Sequence, residues 1–158
     1  MQKIHPMLWF DNQAEDAANF YVSVFPNSKI GKVAKYGPGA PLPEGTVLTV
    51  EFDLDGQKIV ALNGGPDFKL SEAISFVVPC ESQAEVDEYW DKLVAGGEPS
   101  YCGWLKDRYG LSWQIVPTEL MALLDDPDAA KSRRAFEAMM KVEGKFDIAD
   151  LRAAAEAA

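Results

Sequence analysis

Two stretches of the chain share one arrangement of apolar and polar positions. Ile4 to Phe10 (IHPMLWF) and Ile74 to Cys80 (ISFVVPC) are short apolar runs bounded by polar residues, the pattern of buried strands. Each leads into an amphipathic stretch that predicts a helix. The first covers Ala14 to Pro26 and the second Ser82 to Gly97. Ser82 suits the N-cap, and Glu85 completes a capping box. Both helices stop at breakers, Pro26 and Gly96-Gly97.

Three strand-like runs follow each helix. In the first half they are Lys29 to Tyr36, Thr46 to Leu54 and Gln57 to Leu62; Asp55-Gly56 joins the last two as a type I′ hairpin signal. In the second half they are Glu98 to Tyr101, Gly103 to Lys106 and Leu111 to Val116, with a turn over Asp107 to Gly110. The Pro/Gly loop Gly37 to Gly45 has no counterpart in the second half. The chain thus repeats strand-helix-strand-strand-strand. The tail predicts three helices, Thr118 to Leu124, Pro127 to Val142 (with Pro127 in its first turn) and Ile148 to Ala157. Phe136, Met139 and Met140 form a helical stripe that reads as packing against core or partner, with a ligand-contacting patch as the alternative.

Alternation sorts the strands into faces. Ile4, Leu8 and Phe10, and Ile74, Phe76 and Val78, belong under the helices; so do Leu48, Val50 and Phe52. Leu111, Trp113 and Ile115 pack the same way. That leaves His5, Met7, Trp9, Thr49, Glu51, Ser75, Ser112 and Gln114 on the opposite, concave side. Between Gln57 and Asn63 the parity is open: either Ala61 and Asn63 or Val60 and Leu62 face in. A cupped surface with a few polar groups among apolar and aromatic ones has the make-up of a small-molecule pocket.

Composition narrows the classes. With 158 residues the chain suits one domain or two small fused modules. Its net charge of −10 argues against nucleic-acid and anionic-membrane surfaces. No apolar run approaches the ~20 residues of a spanning helix, and the N-terminal MQKIHPMLWF does not read as a signal peptide. A soluble, cytoplasmic protein is expected. Cys80 and Cys102 have no CxxC spacing, so neither a disulfide framework nor a structural zinc site is expected. His5 is the only histidine, so a two-imidazole site would need a second chain. Trp9 and Trp104 are candidates to stack on a planar ligand, with core or dimer packing as the alternative. Cys102 lacks an evident activating group, and Asn63-Gly64-Gly65-Pro66 lacks the Lys-Ser/Thr of a phosphate loop, so it reads as a plain loop.

The repeated unit resembles the vicinal oxygen chelate superfamily of glyoxalase I, bleomycin- and fosfomycin-resistance proteins and extradiol dioxygenases. Within it the chain is similar to the PhnB-like branch through PMLWFDNQAEDAANFYVSVFPNS, TVEFDLDGQKIVALNGGPDF, EAISFVV and CGWLKDRYGLSWQIVP. The resemblance implies an α+β fold of two tandem βαβββ modules, with curved, mostly antiparallel sheets forming a cleft. The modules would cover about residues 3–68 and 72–117, with C-terminal helices over 118–158, all one domain and most often paired as a homodimer. Members of the branch carry the label 3-demethylubiquinone-9 3-methyltransferase. The sequence offers no strand-then-glycine-rich turn to cradle an adenosyl cofactor, so the label is read as a name.

In metal-dependent relatives, one ligand comes from the first strand and one from the last strand of each unit. Carried over, these positions offer His5, Ser75, Gln114 and either Ala61 or Asn63 (or Val60). Ser and Gln are weak neutral donors. The resemblance therefore implies a protein that binds a small organic molecule in the cleft over a degenerate metal site. The cleft candidates are His5, Met7, Trp9, Thr49, Glu51, Asn63, Ser75, Trp104, Ser112 and Gln114. No metal or other cofactor is firmly expected. The alternatives are a divalent-metal enzyme of glyoxalase or dioxygenase type, with His5, Glu51 and Gln114 as ligands and His5 or Glu51 as acid–base group, and an antibiotic-sequestering protein.

Overall fold

The computed structural model describes residues 2–157. The chain forms two compact units, one running to Leu70 and the other from Ser71. The first contains β1 (Met7–Phe10), α1 (Ala14–Val24), β2 (Lys29–Lys35), β3 (Val47–Leu54) and β4 (Gln57–Asn63), with sheet order β1-β4-β3-β2. β1 runs parallel to β4, and the other pairings are antiparallel.

The first strand is shorter than its apolar run. It starts after Pro6, which has no N–H to give a ladder. Ile4 is left 88% exposed rather than under the helix, and His5 is exposed ahead of the strand. Downstream the faces sort as the alternation dictates. Ala14, Ala17, Ala18, Tyr21 and Val24 form the buried stripe of α1. They meet a sheet face built from Leu8, Phe10, Val50 and Phe52, all buried, and Tyr21 stacks on Phe52. Burying each such large side chain contributes about 1.5–3 kcal/mol. Asp55 and Gly56 both take positive φ, 47° and 80°, as a type I′ turn requires.

The second unit repeats the order with β5 (Ser75–Cys80), α2 (Gln83–Val94), β6 (Glu98–Pro99), β7 (Trp104–Lys106) and β8 (Ser112–Pro117), with sheet order β5-β8-β7-β6. β5 and β8 are parallel, matching β1 and β4. Ser82 Oγ accepts the Glu85 amide; the Glu85 carboxylate reaches back to the Glu81 amide, one residue earlier than the usual box. Ile74 lies before the strand and is half exposed, whereas Trp113, Ile115 and Leu105 are fully buried. The turn before β8 is organised by Asp107, whose carboxylate accepts from the Tyr109 and Leu111 amides and from Trp113 Nε1.

The tail forms α3 (Thr118–Leu124), α4 (Ala129–Met140) and α5 (Ile148–Glu156). Pro127 precedes α4, which is capped instead by the Asp128 carboxylate. Leu120, Leu123, Ala135, Phe146, Leu151 and Ala155 make a second core cluster. Of the predicted stripe, Met139 packs on this cluster while Phe136 and Met140 stay about half exposed. Among the described residues no helix is long and apolar enough to cross a membrane.

Candidate functional site

Each sheet has one face under its helix and one face away from it. In the first unit, the register settles the parity left open by sequence. Val60 lies opposite Glu51 and beside Met7; Leu62 lies opposite Thr49 and beside Trp9. These six form the face away from α1. Ala61 pairs with Val50 and Leu8, on the helix side.

Asn63 belongs to that helix side as well, which corrects its placement among the lining residues. Its Oδ1 accepts the Ala14 amide at 2.8 Å, and its Nδ2 donates to the Val47 carbonyl at 3.0 Å. Gln13 supplies no side-chain cap to α1, so Asn63 caps the helix from the strand. Trp9 is also committed. Its Nε1 donates to the Gly65 carbonyl at 2.9 Å, and Phe68 meets its ring edge-on. The Asn63-Gly64-Gly65-Pro66 loop is thus the seat of Trp9. Glu51 forms an ion pair with Lys58 at 3.1 Å, and His5 stands outside the strand.

In the second unit, two rows cross the face away from α2. Ser75, Ser112 and Lys106 are register partners; Val77, Gln114 and Trp104 form the next row. Gln114 Nε2 donates to Ser75 Oγ at 2.9 Å. Glu72 pairs with Lys106, whose ammonium holds that carboxyl below its ordinary range. Ser112 is buried, and its hydroxyl has no hydrogen-bond partner.

This second face opens into a hollow of about 750 Å³. The sheet contributes Val77, Trp104, Gln114 and Val116; the tail contributes Leu120, Met121, Met139, Met140 and Phe146. The tail's share agrees with the alternative reading of the Phe136, Met139 and Met140 stripe rather than with packing alone. The methionine stripe was the available signal, and two of its members reach the hollow.

The donors at the superfamily's metal positions do not fit a divalent ion. Ser75 and Gln114 are uncharged and hydrogen-bonded to each other, and Glu51, a ligand only in the alternative metal reading, is paired with Lys58. Among the described residues no group of three or more His, Cys, Asp or Glu side chains gathers as an ion would need.

Comparison with known proteins places this architecture. Residues 2–116 match the model of the family described as 3-demethylubiquinone-9 3-methyltransferase. A solved structure described as a putative 3-demethylubiquinone-9 3-methyltransferase, PhnB protein, from Bacillus cereus is 36% identical, with a TM-score of 0.66 over 73% of this chain and 99% of that one. Protein PA1353 from Pseudomonas aeruginosa is 17% identical, with a TM-score of 0.61 over 74% of this chain and 98% of that one. The fosfomycin resistance protein FosX from Listeria monocytogenes, complexed with Mn(II) and sulfate, is 15% identical, with a TM-score of 0.51 over 74% and 91%. These two likenesses are of fold. No curated protein matches the chain. With the repeated βαβββ unit in both halves, the chain belongs to the family described as 3-demethylubiquinone-9 3-methyltransferase, the PhnB-like branch of the vicinal oxygen chelate superfamily.

Proposed function

We propose that this chain binds a small organic molecule on the open face of its second sheet, with the metal chemistry of the superfamily lost. The observation that carries the reading is the apolar hollow of about 750 Å³ walled by Trp104, Gln114 and the tail. Its size falls in the range of small-molecule sites, and its lining has the usual make-up, apolar and aromatic with a few fixed polar groups. The neutral Ser75–Gln114 pair supports hydrogen bonding to a ligand rather than coordination of an ion. The mixed sheets supply no adenosyl-cofactor cradle of the doubly wound kind, which speaks against a literal methyl transfer.

Nile red, a neutral apolar dye, tests the reading. Its emission should rise on titration to one dye per chain. Val77→Asp and Met121→Lys replace half-exposed side chains, so they should spare the fold and abolish the rise. An unchanged rise in both variants would refute the assignment.

The family resemblance also supports a homodimer, and two free cysteines are in keeping with a cytoplasmic setting. Sedimentation velocity showing monomer at micromolar concentration would overturn the dimer.

A further inference from the structure

Beside the apolar hollow lies a smaller one of about 170 Å³. Glu72, Ser100 and Trp104 line both, so the two are neighbours. The smaller one mixes polar and apolar groups, and Ser112 forms part of its wall.

Ser112 is 1% exposed, and its Oγ meets no donor or acceptor. Leaving a buried hydroxyl unpaired is unfavourable, because it loses its hydrogen bonds to water and gains none. Its neighbours do not relieve it. Ser75, beside it on β5, is engaged by Gln114, and Lys106, beside it on β7, is engaged by Glu72. A buried hydroxyl without a protein partner, on a residue that walls a hollow, can take a hydrogen bond from what enters there.

The surrounding charge selects among ligands. Glu72 and Glu98 line the small hollow together with one cation, Lys106. Lys106 is bound to Glu72, and Glu98 sits opposite Lys106 in the β6–β7 register. The carboxylates outnumber the ammonium, so an incoming anion is repelled and a neutral or cationic hydrogen-bond donor is favoured.

We propose that the ligand is amphipathic, with an apolar body in the larger hollow and a head group that donates a hydrogen bond to Ser112 Oγ and carries no negative charge, an alcohol or an ammonium. This rests on the reading of the larger hollow as a small-molecule site. It adds the chemical class of what the site takes.

Three molecules of equal chain length separate the cases: octylamine, 1-octanol and octanoate, each titrated calorimetrically into the full chain near neutral pH. Octylamine and octanol should bind about tenfold more tightly than octanoate, the range of one hydrogen bond plus one unfavourable charge contact. Ser112→Ala should weaken octanol binding by about fivefold and leave octanoate unchanged. Glu98→Gln alters an exposed side chain, so the fold is not at risk, and should narrow the gap between octylamine and octanoate.

Equal affinities for the three heads would overturn the head-group assignment. So would octanol binding unaffected by Ser112→Ala, because a water would then be the hydroxyl's partner. If Nile red binds while the three heads are not distinguished, only this inference falls. If neither Nile red nor any octyl compound binds, the hollow is not a small-molecule site and both readings fall.

Discussion

Gln114 Nε2 lies 2.9 Å from Ser75 Oγ, donating across the parallel β5–β8 pair. Two uncharged side chains thus satisfy each other at positions where the family resemblance implies metal ligands. A divalent ion sheds its water for such partners reluctantly. The protein dialysed against Mn²⁺ or Zn²⁺ should therefore retain well under one ion per chain by elemental analysis, and a chelator should leave its melting temperature unchanged. Ser75→His combined with Gln114→Glu should raise Zn²⁺ retention measurably. Stoichiometric metal in the unaltered protein would count against the loss of the site.

Asn63 makes a second prediction. Its amide closes the N-terminus of α1 through Ala14 and holds the Val47 carbonyl at the start of β3. Asn63 is 6% exposed, and Asn63→Ala removes both bonds in one step, taking their partner from the Ala14 amide and the Val47 carbonyl. The expected loss is about 2–4 kcal/mol, from two bonds at about 1–2 kcal/mol each. Urea unfolding followed by circular dichroism measures it. A loss below about 1 kcal/mol would mean that water replaces the amide.

These residues also mark how far sequence reading reaches. The doubled strand and helix order was legible because each element is bounded by its own stop signal: Pro26, Asp55-Gly56, Gly96-Gly97 and the Ser82 cap. The parity of Gln57–Asn63 was not, since Ile59 and Ala61 are as apolar as Val60 and Leu62, and a period of two cannot choose between apolar faces. Only pairing with Val50 and Phe52 settles it. The role of Asn63 was hidden for another reason. Its partner Ala14 lies far away in sequence and carries no signal beyond a backbone N–H. Alternation placed Ser75, Ser112 and Gln114 on one face, and of these Gln114 lines the hollow, but an amphipathic tail helix does not say which surface it covers.

Gly64 yields a third prediction. A methyl group on its Cα would run into the Trp9 ring, well inside van der Waals contact. Gly64→Ala must push the indole from its seat on Gly65 and Phe68 or shift the loop. Overpacking of this kind costs about 1–3 kcal/mol. The variant should melt lower. Gly65→Ala meets no neighbour but must hold φ at +92°, so its cost is one of backbone strain and should leave Trp9 in place. Trp9→Phe should rescue Gly64→Ala in part and Gly65→Ala not at all. Equal rescue of both would show that the indole contact is not the cause.

Cys80 supplies a pH dependence with a definite sign. It is fully buried on β5, and burial, with Glu85 adding to it, pushes the thiol up to about 11 from its ordinary 9.0. In the unfolded chain the thiol ionises near 9.0, whereas in the folded chain it stays protonated until about 11. Between those values the unfolded state binds fewer protons, so stability falls as pH rises; below 9.0 the thiol contributes nothing to the pH dependence. Lysines and tyrosines titrate in the same window, so the informative quantity is a difference. Cys80→Ala should lose less stability than the unaltered protein between pH 9 and 11, measured by urea unfolding at each pH. The same burial should shield Cys80 from Ellman's reagent in a Cys102→Ser background until the protein unfolds. Prompt labelling of Cys80 in the folded protein, or parallel stability curves for the two proteins, would contradict a thiol kept neutral by burial.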